Sequence, residues 1–286
     1  MIESLPLLRV ALGQLLMPQT LARTPEPQIM DSATGVAQYN QALQSKLSIV
    51  YAGALLKIHQ MRRTKGGRAL DLCCGPGHFT LQLAKYFDFD EVIGLDLSGT
   101  MIEAANTNAE EWGLADRVRF IHADATSVPF DDASFALVSC NDAAHHLPNL
   151  EIVGRLLTEM GRLCSKDGVT LLTDLVRMKN AQVTNWYTDA IGRDYTDKGL
   201  HEFQQDFCNS MQAAWLPSEL SHVMPNRSDR TWEQIVQRII PTVQFLASYP
   251  TDGSPRQVRG DAPWRIDQPP VPQTLQSQWR LFSRLV

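Results

Sequence analysis

The chain has 286 residues, 44% of them hydrophobic, which suffices for one large α/β domain or a core with an appended cap. Its formal net charge of −5 argues against a nucleic-acid partner, which calls for a basic face. The five cysteines (Cys73, Cys74, Cys140, Cys164, Cys208) are odd in number and lack C-x-x-C spacing, so they indicate neither a disulfide framework nor a zinc site and fit a reducing, cytoplasmic setting.

Residues 1–20 carry apolar side chains at Leu5, Leu8, Leu12, Leu15 and Leu16. Glu3 comes early, Arg9 and Gln14 interrupt the run, and no small-residue cleavage site follows, so a signal peptide is not expected. The run is also too short for stable membrane insertion. It reads as an amphipathic helix that packs on the body of the protein or on a second copy in a homodimer. RTPEPQIMD (Arg23–Asp31) is proline-punctuated and extended, and Val36–Arg63 follows with a helical pattern that includes Tyr39.

The stretch RALDLCCGPGHFT (Arg68–Thr80) organises what comes next. Ala69, Leu70 and Leu72 form a buried strand, Gly75-Pro76-Gly77 breaks it, and a helix starts near Phe79. EVIGLDLS (Glu91–Ser98) is a second strand that ends in Asp96. A glycine turn lets backbone approach a ligand, and an acid at the tip of the second strand can accept hydrogen bonds from ribose hydroxyls. Together they predict a nucleoside-bearing cofactor between Gly75 and Asp96. A dinucleotide fingerprint would need a third glycine where Thr80 stands.

Strand and helix patterns alternate over residues 66–176, as a doubly wound, mostly parallel sheet requires. Met101–Trp112 is a helix, Arg117–Asp124 a third strand and Ser134–Asn141 a fourth. Ile152–Leu163 is a helix, and Gly168–Leu175 is a fifth strand after the turn Lys166-Asp167-Gly168. Asp71, Asp96, Asp124 and Asn141 all stand at carboxyl ends of strands, the edge where open α/β sheets bind ligands.

The succession ALDLCCGPG, VIGLDLSGTMIEAA, FIHADATSVPFDDASFALVSCNDAAHHLP and KDGVTLLTDLVR resembles class I S-adenosylmethionine-dependent methyltransferases. Within that class it is similar to the small-molecule group that includes the ubiquinone- and menaquinone-biosynthesis C-methyltransferases. The resemblance implies a Rossmann-like fold, S-adenosyl-L-methionine as cofactor and S-adenosyl-L-homocysteine as product. It implies that the methionine part rests on Asp71, Cys73, Gly75 and Gly77, with Cys73 replacing a usual glycine. Asp96 would hold the ribose, Leu97 and Met101 would flank the adenine, and Asp124 with the Ala125 backbone would take its polar edge. Asn141 would lie beneath the sulfonium, and Tyr39 would close over the cofactor. His145 and His146 would face the substrate side.

These histidines read as bases or as substrate contacts, or equally as the start of a helix; two adjacent histidines alone make a poor metal site. Tyr187 and Tyr195 are further candidate bases. Asp142 reads as a local cap, and Asp174 with Arg177 as a substrate-facing pair or a salt bridge. Residues 177–222 read as an aromatic helical lid, with Ser218 capping a helix after Pro217. Arg230–Ser248 reads as a helix, or one broken at Pro241, where the family has its last two-strand hairpin. Thr251–Gln273 is a Pro/Gly-rich segment, and QWRLFSRLV is an edge strand or a helix. The expected organisation is therefore an N-terminal helical cap (1–65), a cofactor-binding core (66–176), and a lid with an atypical C-terminal part (177–286) completing the same domain. The favoured activity is methyl transfer to a small, partly apolar molecule. An NAD-dependent dehydrogenase and a non-catalytic relative remain as alternatives.

Overall fold

A computed structural model describes residues 4–27, 32–42, 47–61, 65–236, 241–251, 271 and 273–283. Helices α1 (Ser4–Leu16), α2 (Ala33–Ala42) and α3 (Leu47–Met61) precede the first strand, β1 (Arg68–Leu72). Then α4 (His78–Tyr86), β2 (Glu91–Asp96), α5 (Gly99–Glu111), β3 (Val118–His122), β4 (Phe135–Asn141), α6 (Leu150–Leu163) and β5 (Cys164–Leu175) alternate. Helices α7 (Ala181–Thr196), α8 (His201–Ala213) and α9 (Pro217–His222) follow, then strands β6 (Arg230–Val236) and β7 (Val243–Pro250), and finally α10 (Gln276–Phe282). Among the described residues no helix is long and apolar enough to cross a membrane.

The seven strands form one sheet in the order β3-β2-β1-β4-β5-β7-β6. The first five pair in parallel, and β7 runs antiparallel to both β5 and β6. The order reverses beside β1, so the carboxyl ends of β1, β2 and β4 open a crevice there. Both faces are covered, which explains the near-continuous apolar runs of β1 and β4. On one face Leu55 and Ile58 of α3 and Phe79 and Leu83 of α4 pack on Leu137, Leu171 and Phe245. On the other, Val153, Leu156, Leu157 and Met160 of α6 pack on Leu70, Val138, Leu172 and Leu246. Those α6 positions recur with helical spacing, and Asn149 caps the helix by accepting from Ile152 N at 3.0 Å.

Three expectations from sequence need correction. Arg230–Ser248 is not a helix: residues 230–236 and 243–250 form the final hairpin, so the seven-stranded sheet is complete and its C-terminal part is not atypical. Trp232, Ile235 and Val236 have helical spacing by coincidence. The buried Arg230 instead donates to Ser248 Oγ (3.1 Å), Ser165 O (3.1 Å) and Gly168 O (2.7 Å), which binds three strands together. Second, Lys166-Asp167-Gly168 is no turn. The register steps from Phe135↔Cys164 to Leu137↔Val169, so the triplet bulges within a strand that begins earlier, at Cys164. Third, Leu216 rather than Ser218 is the cap of α9; Pro217 takes the first helical position, and Glu219 accepts from Leu216 N at 2.7 Å. The last run, read as an edge strand or a helix, is a helix over its described residues up to Phe282, with Trp279 buried against Ile49 and Ala52 of α3. Of Thr251–Gln273, residues 252–270 and 272 lie outside the described residues.

Helices α7 and α8 pack as a pair above the crevice, joined by α1 and α2. Val10 of α1 is buried with Met178, Val183 and Met211, and Arg9 stacks 3.8 Å from the Trp186 ring centroid. Leu8, Leu12, Leu15 and Leu16 of α1 remain exposed. Tyr39 of α2 meets Phe203 of α8 edge-on at 5.5 Å. Because Phe245 is fully buried in the central layer, Phe245→Ala should lower the unfolding free energy by about 3–5 kcal/mol in urea denaturation. A loss under about 1 kcal/mol would mean that the hairpin is not part of the core.

Candidate active site

The glycine turn is built to expose backbone. Cys73, Gly75 and Gly77 all have positive φ (55°, 52° and 78°). A Cβ on Gly75 would meet nothing within 4 Å, whereas one on Gly77 would strike the Phe120 ring at 2.6 Å. Gly75 therefore borders open space, and Gly77 is required for packing of α4 against β3. Cys74 N donates to Leu95 O (2.9 Å), and Gly75 N to Asp96 Oδ2 (2.8 Å), so the turn is stitched to β2.

A cavity of about 450 Å³ opens beside this turn. Its wall includes Asp71, Cys73, Gly75, Asp96, Leu97, Met101, Asp124, Ala125, Asn141 and His146, together with Tyr39 from α2. Gly77 and His145 are not in that wall. Tyr51, Phe79, Asp142 and Arg155 are, and the sequence did not single out Tyr51 or Arg155. Tyr51 sits in the apolar helix α3, where nothing in its spacing separates it from core residues.

Burial dominates the electrostatics. Asp71 is raised to about 6, by burial first and despite hydrogen bonds from Thr80 Oγ1 (2.8 Å), Ser139 Oγ (2.8 Å) and Asn141 Nδ2 (3.4 Å). Asp96 is also raised by burial, although Ser98 N and Gly75 N donate to its two oxygens at 2.9 and 2.8 Å. Asp124 accepts from Thr126 N and Oγ1, both at 2.8 Å, which fixes the loop after β3. Asp142 stands at φ 49°, and neither of its buried carboxylate oxygens has a partner, so it is not a cap. Burial and the Asp174 charge raise it to about 7 against the opposing pull of His145. Asn141 Oδ1 is likewise buried and unpartnered. The floor is thus rich in acceptors and short of donors.

The roof comes from α2 and α3. Tyr39 Oη lies 3.5 Å from Tyr51 Oη, and Tyr51 packs edge-on against Phe79 at 5.3 Å. Burial raises both phenols, which keeps them neutral donors. Asn40 Oδ1 anchors α2 to the turn through His78 Nε2 (2.9 Å) and Asn108 Nδ2 (3.2 Å).

The two histidines separate. His146 borders the cavity, while His145 is buried with Nδ1 2.5 Å from Asp174 Oδ1. Burial alone would lower His145, but Asp174, Glu26 and Asp142 outweigh it and raise it to about 9. Burial and the neighbouring His145 push His146 down. Asp174 and Arg177 are not paired with each other: Arg177 donates to Glu219 Oε1 (2.7 Å) and Ala214 O (3.0 Å). Tyr187 and Tyr195 lie in the core of the lid, with Tyr195 edge-on to Phe203 at 4.8 Å.

The fold and the polar strand ends define the class. This sheet order, with its single reversed strand and its cavity at the carboxyl edge, is the class I methyltransferase fold. Residues 69–168 match the methyltransferase-domain family. The chain is 36% identical over 122 residues to a methyltransferase of Bacillus subtilis, YcgJ, across 43% of this chain and 45% of that one. It is 30% identical over 149 residues to the demethylmenaquinone methyltransferase of Lactobacillus johnsonii, across 51% and 60% of the two chains. The chain thus spans about half the length of the curated relatives it matches. A proposed S-adenosyl-L-methionine-dependent methyltransferase of Methanococcus maripaludis superposes with a TM-score of 0.55 at 18% identity, covering 81% of this chain and 99% of that one.

Asp142 carries a pH prediction. Its folded pKa lies above the ordinary carboxylate value. The native state therefore holds a proton that the unfolded state releases, and stability present at low pH is lost as pH rises toward about 7. Asp142→Asn should stabilise the ligand-free protein by about 2–4 kcal/mol near pH 8 and by much less near pH 5. Equal effects at both pH values in urea denaturation would show that the carboxylate is solvated.

Proposed function

We propose that the chain is an S-adenosyl-L-methionine-dependent methyltransferase acting on a small molecule, with S-adenosyl-L-homocysteine as product. The observation that carries this reading is the ring of buried, upward-shifted carboxylates around an open cavity beside the glycine turn. A cationic, donor-bearing ligand relieves such a site. A dinucleotide fits the turn less well: the Gly75 N–H that its pyrophosphate would need already donates to Asp96, and Thr80 stands where the third glycine would be. The dehydrogenase alternative is therefore disfavoured. The cavity also falls in the range of about 300–1,000 Å³ usual for small-molecule and cofactor sites.

In this reading the residues present fit the cofactor. Asp96 accepts from the ribose hydroxyls, Leu97 and Met101 border the adenine, and Asp124 with Ala125 takes its polar edge. Gly75 and Cys73 line the methionine end. Asp71 acts one step back by holding Asn141 and Ser139 in place. The bound cofactor supplies a methyl group made electrophilic by its sulfonium. What remains for the protein is to orient the acceptor in line and exclude water. Tyr39 and Tyr51 roof the cavity, and Phe203 of α8 packs behind Tyr39. Asp142 is the unpartnered buried acceptor available to hold or take an acceptor's proton. A cavity of this size with an aromatic roof suits a small acceptor rather than a macromolecule, and demethylmenaquinone, in the name of one relative, is not a macromolecule.

Titration calorimetry tests the reading. S-adenosyl-L-methionine and S-adenosyl-L-homocysteine should bind at micromolar levels and NAD should not. Asp96→Ala should weaken binding at least ~100-fold, about 3 kcal/mol, with an unchanged circular dichroism spectrum. Unaltered affinity in that variant would remove the site assignment.

A further inference from the structure

We propose that Glu26, His145 and His146 form a binding site for a divalent transition-metal ion of the zinc type beside the cavity, behind the wall that His146 borders. The folded chain brings Glu26 to a pair of adjacent histidines more than a hundred residues further along the sequence. Glu26 Oε1, His145 Nε2 and His146 Nδ1 all lie within 4.8 Å of one another. Glu26 Oε1 is 3.4 Å from each of the two imidazole nitrogens. It nevertheless makes no hydrogen bond, although its side chain is only 8% exposed. Two ligands of one tetrahedral ion, each bonded at about 2.0–2.1 Å, sit about 3.3–3.4 Å apart. Both distances from Glu26 match that separation, and a buried carboxylate oxygen without a hydrogen-bond donor is otherwise costly.

The surroundings hold this geometry in place. Asp174 fixes His145 through Nδ1 and leaves Nε2 facing Glu26, the carboxylate–histidine arrangement that orients metal ligands. Ser210 of α8 hydrogen-bonds the Glu26 carboxylate. Three residues before Glu26, Arg23 donates to Ala213 O (2.7 Å), Pro148 O (3.0 Å), His145 O (2.8 Å) and Leu147 O (2.7 Å). Its guanidinium also stacks 3.7 Å from the Trp215 ring centroid. The ligand-bearing strap and turn are thus pinned by contacts that need no ion. His146 Nδ1 also contacts Pro27 O at 3.0 Å, so binding replaces the proton shared there and sets a carbonyl oxygen beside the ion. Two imidazoles and a carboxylate suit zinc or a neighbouring divalent metal. Because His146 borders the cavity, the ion would clasp the N-terminal strap to the wall of the site.

The test uses the full-length protein, stripped with EDTA and titrated with Zn²⁺ or Co²⁺ in the absence of any nucleoside, so it stands apart from the proposed activity. About one ion per chain should bind at micromolar or tighter affinity, with Co²⁺ giving the visible absorption of a low-coordinate nitrogen/oxygen site. Glu26→Gln and His146→Ala should each weaken binding at least ~100-fold, and Asp174→Asn, which removes the carboxylate that orients His145, by about 10–100-fold. The exposed control Glu151→Gln should match the wild type. Thermal melts report folding: Zn²⁺ should raise the melting temperature of the wild type and of Glu151→Gln, but not of the ligand variants. Wild-type binding weaker than about 1 mM, or equal binding by Glu26→Gln and His146→Ala, overturns the proposal and leaves His145 as an imidazolium between two carboxylates.

Discussion

The Asp71 carboxylate is the joint on which the carboxyl edge of the sheet depends. It is fully enclosed, and its oxygens are held by three side chains from two elements: Thr80 in α4, and Ser139 and Asn141 in β4. A charge in that position survives only while each of those donors is in place. The constraint fixes the start of α4 relative to β4, which in turn sets the floor of the cavity and orients Asn141. The glycine turn is held separately, with Gly75 N and Cys74 N tied to β2.

Two clamps close the crevice from above. Asn40 secures α2 to the turn through His78 and Asn108, and so places Tyr39 over the cavity. Arg23 secures the extended N-terminal strap to the turn after β4 and to the end of α8. Both clamps join segments more than thirty residues apart, and both surround backbone that would otherwise be loose. The lid helices α7 and α8 rest on α1 and α2, so the N-terminal helices are part of how the site is enclosed.

Much of this was legible in the sequence. The glycine turn and the acids at strand ends have a local cause, since each sits at a fixed offset from an apolar run, and the structure sets Asp71, Asp96, Asp124 and Asn141 around one cavity. The final hairpin was not legible. Trp232, Ile235 and Val236 mimic helical spacing, and β7 is buried on both faces, so neither strand alternates clearly. Asp142 was read as a cap because such residues commonly are; its left-handed backbone and orphaned oxygens follow from how β4 ends against Thr173.

By itself, then, the sequence determined the parallel core, the position of the glycine turn and the acidic rim, because periodicity and turn chemistry are short-range properties. Tertiary structure alone decided which of two adjacent histidines borders the cavity, that Tyr51 joins Tyr39 in the roof, and that Glu26 reaches His145 and His146. Those outcomes depend on long-range packing: the apposition of β5 behind the turn after β4 gives Asp174 to His145, and the Arg23 clamp brings residue 26 across more than a hundred residues of chain. No local pattern encodes a distance of that kind.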